Sequence, residues 1–126
     1  RAFVTVMRGC DHVCTYCIVP FTRGREVSRP MADVLREVER LVADGVREIT
    51  FLGQNINTYG KDRPDEGGLC ALLEASARLE GLDRLRFLTS NPFDMTEDMM
   101  RRFGAVPKVM PWLHIPAQAG ADTVLH

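Results

Sequence analysis

Residues 3–17 read FVTVMRGCDHVCTYC, an apolar and β-branched run that leads directly into three closely spaced cysteines. The run at residues 3–7 has the composition of a short buried strand. Cys10, Cys14 and Cys17 therefore lie in a loop that leaves the end of a strand. The rest of the chain decides which fold surrounds that strand.

Strands and helices alternate along the remaining sequence. The predicted elements are a helix that begins at Pro30 and ends before Gly45, a strand at 49–52, a long loop at 53–68, a helix at 69–77, a strand at 85–88, a short helix capped by Thr96 and a strand at 112–115. This alternation predicts an α/β fold with parallel strands and right-handed crossovers. It fits an open doubly wound sheet or part of a (βα) barrel, and in both the functional loops follow the carboxyl ends of the strands.

Composition and charge limit the class of protein. The chain has 126 residues, of which 45% are hydrophobic and 26% charged, as in one globular domain. Its apolar runs are far shorter than the roughly 18 residues that span a bilayer, so we expect a cytoplasmic protein with reduced thiols and no membrane partner. The net charge is -1, yet residues 1–29 carry five arginines against two acidic residues. A basic segment beside a cysteine motif suits a phosphate-bearing partner.

The three cysteines predict a metal centre, because thiolates are soft ligands that favour zinc or iron-sulfur clusters. A structural zinc site needs four ligands, for which His12 or Cys70 could supply the fourth. A 4Fe-4S cluster takes one thiolate per iron, so three thiolates would leave one iron open to another ligand. The spacing alone leaves both alternatives open.

The C-x3-C-x2-C spacing, with Tyr16 before the last cysteine, resembles the signature of the radical S-adenosylmethionine (SAM) superfamily. The stretch from Gly9 to Pro30 and the blocks at 52–60, 88–92 and 113–120 are similar to its methylthiotransferases, and most of all to the tRNA enzymes of the MiaB type. The similarity covers nearly the whole chain. It implies a partial (βα) barrel, the N-terminal part of a radical SAM barrel, in which Cys10, Cys14 and Cys17 hold a 4Fe-4S cluster that binds SAM.

The resemblance also implies an activity. These enzymes use SAM both as methyl donor and as radical source, and add a methylthio group to carbon 2 of an isopentenyl-adenosine next to the tRNA anticodon. The alternatives are a methylthiotransferase for threonylcarbamoyl-adenosine in tRNA or for a ribosomal protein, and a structural zinc-binding module. Because a complete barrel needs about 200 residues or more, we expect residues 1–126 to be part of a larger enzyme and not to complete the reaction alone.

The resemblance implies further partners and domains outside this sequence. An N-terminal methylthiotransferase domain would carry a second 4Fe-4S cluster, and a C-terminal domain would bind RNA. The whole enzyme would act on the tRNA anticodon stem-loop and take electrons from a low-potential donor.

Several other side chains are candidates for the site. Gly53, Gln54, Asn55 and Ser90 follow predicted strands and are expected to line the cofactor pocket. Arg23, Arg25 and Arg29 are candidates for contacts with tRNA phosphates or the cofactor carboxylate. His114 is a possible pocket member, and Cys70 is expected to be a buried thiol outside the cluster. The sequence assigns no catalytic side chain.

Overall fold

The computed structural model describes residues 1–125, which form a three-stranded parallel sheet, a small two-stranded hairpin and helices. The strands are β1 (Ala2–Thr5), β2 (Met7–Arg8), β3 (Val27–Ser28), β4 (Glu48–Leu52) and β5 (Arg84–Leu88). The helices are α1 (Val19–Arg23), α2 (Met31–Ala43), α3 (Gly68–Ala77), α4 (Glu97–Ala105) and α5 (Asp122–Leu125), with 3-10 helices at Ile56–Thr58, Pro64–Glu66 and Pro92–Asp94.

The predicted α/β fold with parallel strands is confirmed. The sheet order is β1-β4-β5, and both pairs are parallel. Phe51 lies opposite Val4 on one side and Phe87 on the other, and all three side chains are buried. Helix α2 packs against β1 and against α3, α3 packs against α4, and Phe103 of α4 lies 4.8 Å from Phe87 between ring centroids. The core therefore fixes the carboxyl ends of the three strands side by side.

Helix boundaries follow local sequence signals. Pro30 is the N-cap of α2 rather than its first residue, and Gly45, with φ +89°, follows the end of that helix. The Thr96 hydroxyl accepts a hydrogen bond of 3.1 Å from the Met99 N–H, so the predicted N-cap of α4 is confirmed. No helix within residues 1–125 is long and apolar enough to cross a membrane.

The single strand predicted at residues 3–7 is divided in the structure. At Val6 the N–H donates to the Leu52 carbonyl of the sheet, and the carbonyl accepts a hydrogen bond from Arg29. The chain thereby leaves the parallel sheet and continues as β2, which pairs with β3 in an antiparallel hairpin. This hairpin forms the base of the cysteine loop.

The prediction of a strand at residues 112–115 is wrong. The chain runs beside β5 at a single isolated bridge between Leu85 and Val109, and no ladder follows. Pro111 has no N–H to donate, which interrupts the backbone hydrogen bonding just before the predicted strand. Trp112 is 50% exposed, so this segment also lacks the burial of an inner strand.

Candidate functional site

A cleft of about 510 Å³ lies at the carboxyl ends of the parallel strands. Four segments form it: the cysteine loop, the loop after β4, the loop after β5 and the segment that holds Pro116 and Gln118. The lining residues are Cys10, His12, Val13, Cys14, Tyr16, Cys17, Gln54, Asn55, Thr89, Ser90, Asn91, Pro92, Phe93, Pro116 and Gln118. Loops separated by up to 108 positions in the sequence thus meet at one opening, as expected for a parallel sheet.

All three predicted cluster ligands line this cleft. Cys10 and Cys17 are half-buried, whereas Cys14 is exposed, and none of them forms a disulfide. The Cys17 N–H donates to the Cys14 carbonyl at 3.0 Å, which places these two residues on one turn. Within residues 1–125, no three His, Cys, Asp or Glu side chains converge on one point as a single metal ion requires. A cluster distributes its ligands over several irons and does not need that convergence.

Gly9 sets the start of the cysteine loop. Its φ is +78°, and a Cβ at this position would lie 2.0 Å from the Arg25 carbonyl oxygen. The next residue, Cys10, donates its N–H to the Gly24 carbonyl at 3.1 Å. Only glycine permits this close approach of the two backbone segments. The glycine therefore fixes where the first thiol leaves the hairpin.

The loop after β4 is tied to the cysteine loop. The Gln54 side-chain carbonyl accepts a hydrogen bond of 2.7 Å from the Gly9 N–H. Gly53 exchanges backbone hydrogen bonds with Leu88 and Thr89, and a Cβ on it would lie 2.7 Å from Met7 Cγ. Gly53 is not a lining residue, and packing against Met7 explains why glycine stands there. Of the predicted cofactor contacts on this loop, Gln54 and Asn55 line the cleft.

Two buried polar atoms at the cleft have no hydrogen-bond partner in the described part of the chain. They are Asn55 Oδ1 and Ser90 Oγ, on side chains whose residues are 1% and 0% exposed. Ser90 is held by its N–H, which donates to the His114 carbonyl at 3.0 Å. Unpaired buried polar atoms are costly, so each of these oxygens is a candidate acceptor for a group outside the described chain. These two positions match residues predicted from the sequence.

A carboxylate that the sequence did not single out joins the loops around the cleft. Asp94 Oδ2 accepts a hydrogen bond of 2.7 Å from Asn55 Nδ2 and lies 2.6 Å from His12 Nε2. His12 is therefore paired with a carboxylate rather than placed with the thiols as a fourth ligand. The signal available in the sequence was weak: Asp94 only follows a strand end, a few residues after Ser90.

Burial raises the pKa of Cys10, and its neighbours add to the effect. The nearby negative charges of Glu26, Cys14 and Cys17 disfavour the Cys10 thiolate, although a backbone hydrogen bond from His12 favours it. Three thiolates on one loop repel each other unless a cation lies between them. This electrostatic arrangement suits a metal-containing group, because metal binding replaces the protons of its thiol ligands.

The three arginines proposed to contact a substrate lie outside the cleft lining. Arg29 is committed to the fold, since its guanidinium donates to the Thr5 carbonyl and to Glu37, both at 2.7 Å. Arg23 and Arg25 are exposed, and neither has an ion-pair or side-chain hydrogen-bond partner among residues 1–125. These two arginines differ from Arg29 in being free to meet an anion.

Cys70 and His114 lie away from the cleft lining. Cys70 is buried in α3, as predicted, where burial raises its thiol pKa. His114 is exposed, with its ring centroid 6.2 Å from that of Trp112, so it is not the pocket member that the sequence allowed. Only its backbone carbonyl contributes, by accepting from Ser90.

Solved structures of low sequence identity share this fold. The chain matches the radical S-adenosylmethionine methyltransferase TsrM from Kitasatospora setae, solved with cobalamin and a [4Fe-4S] cluster bound, with a TM-score of 0.73 and 19% identity. The match covers 98% of this chain and 23% of that protein. A second TsrM structure, with tryptophan substrate and a SAM analogue bound, matches with a TM-score of 0.72.

Sequence relatives are much closer. The tRNA-2-methylthio-N(6)-dimethylallyladenosine synthase of Thermotoga petrophila is 50% identical over 125 residues, and that of Cereibacter sphaeroides is 52% identical over 124. These matches cover 99% and 98% of this chain, which spans 28% of the length of each relative. The family model described as the radical SAM superfamily matches residues 4–126. Since this match extends over almost the entire sequence, the chain belongs to the radical SAM superfamily.

Proposed function

We propose that this chain is the cluster-binding and SAM-binding part of a tRNA methylthiotransferase that modifies isopentenyl-adenosine beside the anticodon. The single observation that carries the proposal is the cleft, which brings three cysteines together with unpaired buried polar groups of two other loops. The relatives that are 50 to 52% identical, named for this tRNA modification, supply the substrate. Because the chain spans 28% of their length, the activity is proposed for the whole protein.

The donor set fits the cofactor that the superfamily uses, a 4Fe-4S cluster together with SAM. Cys10, Cys14 and Cys17 would each hold one iron, and the fourth iron would remain free for SAM. When bound, the cluster would supply one electron at low potential. The protein's own contribution is to keep three mutually repelling thiolates at one cleft wall and to leave the cleft open on the ligand side.

The opposite wall of the cleft is proposed to bind SAM. Asn55 and Ser90 each present a buried oxygen without a partner, and these atoms could accept hydrogen bonds from ammonium or hydroxyl groups. Gln54 lines the same wall, where its carbonyl accepts one hydrogen bond from Gly9 and its amide nitrogen can donate to a ligand. Gly53 acts indirectly, since it allows this loop to pack on Met7.

The proposal extends to RNA contacts by Arg23 and Arg25. Both are exposed on the segment that forms the base of the cysteine loop, and arginine binds phosphate oxygens by paired hydrogen bonds. In the whole protein, replacing both by alanine should weaken tRNA binding. The slope of the logarithm of the binding constant against the logarithm of the salt concentration should also fall, by the amount expected for about two phosphate contacts. Arg40→Ala, which alters an exposed arginine of α2 away from the cysteine loop, is the matched control.

The architecture proposed for the whole domain is a (βα) barrel, of which β1, β4 and β5 would form three strands. Parallel pairing and a site at the carboxyl ends of the strands support this assignment. The remainder of the relatives' length would hold the rest of the barrel, a domain with a second 4Fe-4S cluster and an RNA-binding domain. The whole enzyme would also take electrons from a low-potential donor.

Anaerobic reconstitution with iron and sulfide tests the cluster proposal. We expect about four irons per chain and an electron paramagnetic resonance (EPR) signal of the reduced protein that changes when SAM is added. Cys17→Ser should lose most of the iron, whereas Cys70→Ala, which removes a buried thiol outside the cleft, should retain it. Stoichiometric zinc with no response to SAM would contradict the proposal and support the structural zinc alternative.

The substrate is tested separately in the whole protein. Anticodon stem-loops that carry isopentenyl-adenosine should gain the mass of a methylthio group, and stem-loops that carry threonylcarbamoyl-adenosine should not. Modification of the second RNA, or of a ribosomal protein, in place of the first would overturn the substrate assignment without affecting the cluster site.

A further inference from the structure

We propose that Asp94 is a positioning residue that holds both the cysteine loop and the Asn55 amide in place at the cleft. One oxygen, Asp94 Oδ2, serves both partners: it accepts from Asn55 Nδ2 at 2.7 Å and pairs with His12 Nε2 at 2.6 Å. Hydrogen bonds to an ionised carboxylate are shorter and stronger than those between neutral groups. A single side chain therefore links three loops that are far apart in the sequence.

Asp94 lies on a segment that is itself held firmly. It ends the 3-10 helix Pro92–Asp94, which Asn91 caps by accepting a hydrogen bond of 3.0 Å from the Phe93 N–H. The Asn91 N–H donates in turn to the side-chain carbonyl of Asn57, which is buried. These hydrogen bonds fix the backbone on which Asp94 stands, so its carboxylate can orient the side chains of His12 and Asn55.

The first partner, His12, lies between Cys10 and Cys14 in the sequence. The His12 N–H bonds to Cys10, and the Oδ1 of neighbouring Asp11 accepts from the Glu26 N–H at 3.2 Å, but neither bond reaches the segment after β5. Within residues 1–125, the contact of His12 with Asp94 is the hydrogen bond that joins the loop to that segment. The Gly9 to Gln54 bond holds the loop at one end, and the His12 to Asp94 pair holds it near the middle. Loss of the second contact should free the thiols to move away from the cleft wall.

Asp94 fixes the orientation of the side-chain amide of its second partner, Asn55. An ionised carboxylate can only accept hydrogen bonds, so the Asn55 nitrogen must face Asp94 and its Oδ1 must point elsewhere. That oxygen is buried and has no partner among residues 1–125, and Asn55 lines the cleft. Asp94 thereby makes Asn55 an acceptor for a ligand that brings an N–H or O–H donor.

Thiol alkylation in the chain without cofactor tests the first role. In Asp94→Ala, the alkylation rates of Cys10 and Cys17 by N-ethylmaleimide, followed by peptide mass spectrometry, should rise about tenfold, as loss of one charge-assisted hydrogen bond predicts. Cys14 is already exposed and should change little. Cys70 is buried in α3 and reports unfolding of the whole chain.

Two further variants separate positioning from general destabilisation. Asp94→Asn keeps an oxygen that can accept both hydrogen bonds, and should restore the rates to within about threefold of the wild type. Asp65→Ala removes an exposed carboxylate of another 3-10 helix and should leave the rates unchanged. Unchanged rates in Asp94→Ala, an equal rise at Cys70, or failure of Asp94→Asn to restore the rates would each overturn the proposal.

A ligand measurement tests the second role and rests on the proposed function. In the reconstituted chain, the SAM concentration that gives half of the EPR change should rise about tenfold in Asp94→Ala and recover in Asp94→Asn. The same half-saturating concentration in Asp94→Ala and wild type would overturn the Asn55 role. If the wild type shows no response to SAM, the proposed function fails, while the alkylation rates still decide the role of Asp94 in the cysteine loop.

Discussion

Replacing Gly9 by alanine should displace the base of the cysteine loop. A Cβ at Gly9 would lie 2.0 Å from the Arg25 carbonyl oxygen and 2.6 Å from that of Gly24, whereas real Cβ atoms keep at least 3.0 Å from other atoms. The two backbone segments must therefore separate by at least about 1 Å to reach even the shortest distance that real Cβ atoms keep. Both are backbone, so a side-chain rotation cannot relieve the overlap.

The magnitude follows from two contributions. The left-handed conformation of Gly9, with φ +78°, costs alanine about 1–2 kcal/mol. Separation also breaks the hydrogen bond of 3.1 Å from the Cys10 N–H to the Gly24 carbonyl, for about 1 kcal/mol. We expect the free energy of unfolding to fall by about 2–3 kcal/mol, with the iron content after reconstitution reduced as well.

Urea unfolding followed by circular dichroism measures this change, and Gly104→Ala is the control. A Cβ at Gly104 has nothing within 4 Å, and the residue lies inside α4, so alanine there should raise the free energy of unfolding by up to about 1 kcal/mol. If Gly9→Ala unfolds at the wild-type urea concentration and binds iron normally, the close approach of the two segments does not hold the loop.

Two other predictions concern the scaffold. Tyr59→Phe removes a hydroxyl that donates to the Arg29 carbonyl at 3.0 Å, and should cost about 1 kcal/mol at pH 7 in urea unfolding. Burial raises the pKa of Tyr59 to about 12 from the ordinary value near 10. The buried neutral phenol stabilises the fold fully below pH 10, and this stabilisation is lost as the pH rises from about 10 to 12, by up to about 2.7 kcal/mol. Tyr59→Phe should lack this part of the loss of stability at alkaline pH. The same dependence of stability on pH in both proteins would contradict the attribution of this loss to Tyr59. Thr96→Ala should cost about 1 kcal/mol by removing the acceptor of the Met99 N–H, whereas Thr96→Ser should retain most of the stability in the same urea assay.

The sequence predicted the main elements of the fold but not its small ones. Helix α2 has an apolar stripe along 13 residues and a glycine after its end, so its pattern was clear. Helix α1 buries no residue, and β2 and β3 have two residues each, so none of them has a periodic pattern to detect. Residues 112–115 have the apolar composition of a strand, but tertiary hydrogen bonding decides strand formation, and Pro111 interrupts it.

The candidate site was predictable where residues follow strand ends. Cys10, Gln54, Asn55 and Ser90 all line one cleft because parallel strands bring their carboxyl ends together. The contact of His12 with Asp94 was not predictable, because it joins a loop to the end of a 3-10 helix 82 positions away in the sequence. Composition likewise could not separate Arg29, which binds the Thr5 carbonyl, from its exposed neighbours.

The hydrogen bonds that assemble the cleft join residues 45, 39 and 82 positions apart. Contacts of such long sequence separation form late in folding, because the intervening chain must first be ordered. During synthesis the three thiols leave the ribosome well before Asn55, Ser90 and Asp94 exist to surround them. The cysteine segment therefore lacks its partners from the other two loops until the third parallel strand has paired, and we expect cluster insertion to follow that pairing.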